Sequence, residues 1–92
     1  MSPVDWTDMN GIMDKAYKVY SYVRGYVPPI CRVWAPLISG GYIKFRMKYG
    51  TNPIYYAELT YKQILAMSTD AAAAMVTRQF MKQMLERIEN NE

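Results

Sequence analysis

The sequence predicts an all-α chain of three helices, extended rather than compact, and three observations carry that expectation. Apolar residues recur at three-and-four spacing in each third of the chain. Glycine and proline punctuate it twice, at Gly25 to Pro29 and at Gly50 to Pro53. A T-x-x-Q capping box, Thr60 to Gln63, opens the last part. At 92 residues the chain holds one small domain, so residues 1–92 are read as a single helical unit.

The first helix is expected over about 3–24, with Ser2 and Pro3 at its start and Asp5 in its first turn. Met9, Ile12, Met13, Ala16, Tyr17, Tyr20 and Val23 supply its apolar face, and Gly25 its stop. Pro28 and Pro29 then force an extended link. The second helix is expected over about 29–49, where Ile30, Val33, Trp34, Leu37, Ile38, Gly41, Tyr42 and Phe45 fall on one stripe. Pro36 should kink it, and Ser39, Gly40 and Gly41 form a small-residue notch for a close neighbour. Gly50 ends it. The third helix is expected over about 60–89: Ala73, Val76, Thr77, Phe80, Met81, Met84, Leu85 and Ile88 share one face, and Arg78, Gln79, Lys82, Gln83, Glu86 and Glu89 the other. Ser68-x-x-x-Ala72 permits a close helix crossing.

Composition removes whole classes of function. There is no histidine and only one cysteine, Cys31, which excludes a disulfide framework, a Cys/His zinc site and histidine-based catalysis. The eight acids form no pair at a catalytic spacing, and Gly40-Gly41 matches no phosphate-binding loop, so no enzyme activity and no cofactor are expected. Cys31 beside Arg32 reads more readily as apolar filler than as a reactive thiol. A hydrophobic content of 51% in so short a chain leaves apolar side chains that need a partner or lipid. The net charge of +3 is too mild to argue for nucleic acid, which is not expected as a partner; nor is a small-molecule substrate. No basic segment precedes an apolar run near residue 1, so no cleaved targeting segment is expected.

Three clusters remain as candidate contacts to lipid or to a partner. Lys44, Arg46 and Lys48, interleaved with Tyr42, Phe45 and Tyr49, suit anionic headgroups or phosphates. Arg32 and Lys44 bracket an uncharged stretch containing Trp34 and Tyr42, through which the second helix could cross or dip into a bilayer. Asp70 falls on the apolar face of the third helix, where an ionised carboxylate needs an answer: Arg32, a base on another subunit, or a water-lined pocket.

From Trp34 onward the chain resembles subunit g of the mitochondrial ATP synthase membrane region, in Tyr42-Ile43-Lys44-Phe45, Thr51-Asn52-Pro53, Glu58 and Leu59-Thr60-Tyr61-Lys62-Gln63. The match covers about half the chain. The resemblance implies a non-catalytic structural subunit in the mitochondrial inner membrane, contributing to assembly, dimerisation and lipid contact. Its implied partners are other subunits of a multi-subunit membrane complex and anionic lipid such as cardiolipin. The sequence departs from that family at Ser68-x-x-x-Ala72, where a G-x-x-x-G pair is expected, and at Arg78 and Lys82. An accessory subunit of a respiratory-chain complex and a soluble helical adaptor are the alternatives.

Overall fold

Two long helices lie on one face of an antiparallel sheet, in the order α1 (Trp6–Tyr26), β1 (Cys31–Val33), β2 (Leu37–Ser39), β3 (Tyr42–Tyr49), β4 (Tyr55–Thr60), α2 (Tyr61–Ala66) and α3 (Thr69–Asn90). The computed structural model describes the backbone of residues 6–90 and the side chains of residues 9–89. The all-α expectation is corrected to a mixed α/β fold, because the expected second helix is a hairpin. The helix-start signal at Ser2, Pro3 and Asp5 lies outside the described residues.

The hairpin follows from a pattern of period two. Along β3, Ile43, Phe45 and Met47 are buried, while Tyr42, Lys44, Arg46 and Lys48 alternate with them on the other face. Gly40 and Gly41 have φ of +60° and +85° and form the two-residue turn between β2 and β3, the type I′ geometry whose twist matches paired strands. They are not a notch in a helix. The proline expected to kink a helix instead breaks a strand. Register runs Val33 to Met47 on β1 but Leu37 to Lys44 on β2, so the strand pair carries one extra residue around Ala35 and Pro36. Proline has no N–H for the ladder, and a bulge removes the need for one.

On the other side of β3, β4 pairs from Tyr42–Thr60 to Met47–Tyr55 and buries Tyr55, Ala57 and Leu59. The capping box holds as expected: the Gln63 N–H donates to Thr60 Oγ1 at 3.1 Å, and the Thr60 N–H donates to Gln63 Oε1 at 2.9 Å. The helix it starts ends after six residues at Met67, whose ψ of 151° is extended. Lys15 Nζ donates to the carbonyls of Leu65 and Met67 at that break. Ser68 then caps α3, accepting from the Ala71 N–H at 3.1 Å.

The core joins both helices to the sheet. Ile12, Ala16, Val19 and Val23 from α1 and Ala72, Ala73, Val76 and Phe80 from α3 close over Ile43, Phe45, Met47 and Leu59. Gln79 and Gln83 fasten α3 to the free edge of β4: each side-chain amide donates to one strand carbonyl and accepts from the N–H of the same residue. Gln79 does so with Glu58, at 3.1 Å both ways. Gln83 does so with Tyr56, at 3.1 Å and 2.5 Å. The match is geometric, since four residues of helix rise about 6 Å and two residues of strand about 6.8 Å. The chain measures 51 × 25 × 19 Å. Its radius of gyration, 14.1 Å, exceeds the roughly 12 Å of a compact chain this long.

Candidate functional site: the open face of the sheet

One sheet face packs on the helices, and the other carries six of the residues singled out in the sequence. Antiparallel pairing puts directly opposed residues on the same side. Arg32 opposes Lys48, Lys44 opposes Glu58, and Arg46 opposes Tyr56, all on the open face. Trp34 joins them because its N–H continues the ladder to the Arg46 carbonyl at 3.0 Å. Tyr42 and Tyr56 complete the surface, 43% and 58% exposed.

The electrostatics of this face are one-sided. Four bases, Arg32, Lys44, Arg46 and Lys48, meet one acid, Glu58, so its surplus equals the +3 of the whole sequence and the rest of the chain is balanced. Glu58 stands opposite Lys44, leaving Arg32, Lys48 and Arg46 together with no acid in register. Like charges directly opposed on a sheet destabilise it. Trp34 moderates the crowding: the Arg32 guanidinium lies 4.8 Å and the Arg46 guanidinium 5.8 Å from its ring centroid. Such contacts are worth about 0.5–1 kcal/mol each at exposed sites. Arg46 Nε is buried without a hydrogen-bond partner among the described residues, and the Trp34 indole is the group that its guanidinium lies over.

Gly40 and Gly41 cap the same face as its hairpin turn, and a Cβ at either meets nothing within 4 Å. The expected close neighbour of a glycine notch is absent from the described residues. Arg32 and Lys44, expected at opposite ends of one helix, sit on neighbouring strands. Among the described residues no helix is long and apolar enough to cross a membrane.

Ser68, Asp70 and Ala72 are not part of this face. Ser68 is a helix cap and Ala72 a fully buried core residue, so they do not act as one crossing motif. Within the chain Asp70 is not answered by Arg32: it is exposed at the start of α3 and accepts from the Tyr26 hydroxyl at 2.5 Å. That bond, then desolvation and the carboxylate charge, push the Tyr26 phenol above its ordinary 10.0. Cys31 lies on the packed side opposite Tyr49, and burial raises its thiol pKa, the direction of an inert thiol.

Sequence reasoning missed Tyr56 and Glu58 as members of the face, although both were visible at alternate positions of Tyr55 to Thr60. A second surface lies at the end of α3, where Met81, Leu85 and Ile88 are 46%, 58% and 58% exposed. No family model matches the chain, and neither curated proteins nor solved structures offer a match.

Proposed function

We propose that this chain is a non-catalytic binding module that holds single-stranded nucleic acid on the open face of its sheet. The observation that carries the reading is the acid-free trio Arg32, Lys48 and Arg46 around Trp34, with Tyr42 and Tyr56 exposed on the same face. Phosphates answer crowded cations, and exposed rings and guanidinium planes stack on bases. The overall +3 is too mild to argue for nucleic acid, and the reading departs from the sequence expectation because the fold gathers an equal surplus onto one face. A membrane surface fits less well, because lipid docking needs apolar side chains to enter the acyl boundary. Among the described residues Leu37 is the one exposed large aliphatic side chain within the paired strands of this face, with the exposed Ile30 and Ile54 just outside β1 and β4.

Fluorescence anisotropy with labelled oligo(dT) and oligo(U) of about 16 nucleotides tests the proposal. Three or four phosphate contacts predict a slope of log affinity against log salt of about −2 to −3. Arg32→Glu and Lys48→Glu should each abolish most of the binding, while Lys18→Glu on α1 should not. Binding to cardiolipin vesicles but not to oligonucleotide would sink this reading in favour of lipid.

Membership of the ATP synthase membrane region is a separate reading, which the resemblance to subunit g implies. Its support lies in residues 34–63, and the helix that it implies over Tyr42 to Phe45 corresponds here to part of β3. Co-purification of inner-membrane subunits in mild detergent tests it directly.

A further inference from the structure

We infer that α3 pairs antiparallel with α3 of a second copy of this chain, through the half of its apolar stripe that the fold leaves uncovered. The first part of the stripe is consumed by the core, where Ala73, Val76 and Phe80 are fully buried. Beyond Phe80 the stripe continues as Met81, Met84, Leu85 and Ile88. It runs into a groove of about 460 Å³ lined by Pro28, Tyr55, Met81, Met84 and Ile88 among others. Tyr55 is 6% exposed, and its hydroxyl has no hydrogen-bond partner among the described residues.

Charge identifies the occupant. At 100° per residue, Arg78 and Glu89 stand within about 20° of each other at one margin of the stripe, beside Leu85, and both are exposed. The base comes first and the acid last. A two-fold axis that reverses the helix and lies in the interface keeps this flank on the same side in both copies. Arg78 then faces Glu89 of the second copy. The same operation sets Met81 against Ile88 and Met84 against Leu85. Charged and apolar pairs all centre near Met84, to within about one residue rise of 1.5 Å. A parallel pair would set base on base and acid on acid. The antiparallel arrangement is isologous and therefore closed, giving a dimer and no further growth.

The experiment is light scattering and sedimentation across a concentration series of the full chain, with circular dichroism as a check on folding. The parent should show a monomer–dimer equilibrium. Leu85→Asp, at an exposed position, should weaken it about tenfold or more with the spectrum unchanged. Arg78→Glu alone and Glu89→Arg alone should each weaken it, and the double variant Arg78→Glu/Glu89→Arg should recover it, a rescue that two residues eleven positions apart on one helix cannot produce within a single copy. With Cys31→Ala as background, Leu85→Cys should form an intermolecular disulfide on oxidation. Arg78→Cys should not, since its two copies would stand about 18 Å apart along the axis. A chain that remains monomeric throughout overturns the proposal and leaves the stripe to a partner of different sequence. A dimer indifferent to Leu85→Asp, or one in which the charge swap brings no recovery, overturns it equally.

Discussion

At Gly40 and Gly41 it is backbone freedom rather than space that the residue supplies, since both have positive φ and neither has an atom within 4 Å of a built Cβ. Gly41→Leu should therefore destabilise by roughly 1–2 kcal/mol through the left-handed backbone alone. Gly41→Asn should cost less, because asparagine tolerates that region. Urea midpoints compare the two, and equal losses would contradict a turn-based role. Tyr26 and Asp70 give a prediction in pH. Hydrogen bonding to Asp70 raises the Tyr26 phenol above 10.0, so the fold favours its neutral form. The associated stability is present below 10.0 and is lost as pH rises through the raised value in the folded chain. The stability difference between the parent and Tyr26→Phe should accordingly shrink above pH 10.0, as read from denaturation curves on either side of it. Asp70 misleads at this scale because a helical wheel places a residue near an apolar stripe without showing where the covering layer stops. Its neighbours Ala72 and Ala73 are fully buried, yet Asp70 itself is exposed.

Gln79 and Gln83 show how an element can be secured by side chains of another. Their amides occupy the hydrogen-bonding positions that a fifth strand would take beside β4. Gln83→Ala should cost about 1 kcal/mol, the net worth of a typical hydrogen bond, with Gln79→Ala similar. Gln83→Glu should lose nearly as much, since a carboxylate can accept from Tyr56 N–H but cannot donate to its carbonyl. Amide hydrogen exchange at Tyr56 and Glu58 reads the loss locally, and unchanged protection in both alanine variants would rule the clasp out. The two terminal helical regions were legible because their apolar spacing and the Thr60 capping box agree. The middle was not. Ile30, Val33, Trp34, Leu37, Ile38 and Phe45 satisfy a helical stripe by coincidence, whereas Ile43, Phe45 and Met47 alternating with Lys44, Arg46 and Lys48 satisfy a strand. Two consecutive glycines between apolar runs decide between them, since they disfavour helix and supply a hairpin turn. The basic-aromatic cluster was legible as a set of residues, but its shape was not: membership passes through Arg32 and Tyr56, which only strand register brings beside Arg46.

Across the whole molecule, stability rests on one core in which Phe45 from the sheet and Phe80 from α3 are both fully buried. Phe45→Ala should cost about 3–5 kcal/mol, a large share of the roughly 5–15 kcal/mol available to a small domain. Tyr56→Ala on the open face should leave the denaturation midpoint nearly unchanged, and comparable losses in the two variants would contradict this division of labour. The glutamine clasp has a consequence at this scale as well. The opposite edge of the sheet is interrupted by the bulge at Pro36, which makes it a poor template for another chain. The edge of β4 has no such defect and is protected only while α3 lies against it. If α3 lifts away, β4 presents unpaired backbone along Tyr55 to Thr60 while the apolar face of the sheet is uncovered. A chain shortened before Gln79 should therefore turn to fibril-like aggregates that bind thioflavin, so that the helix serves the folded protein as a guard against polymerisation.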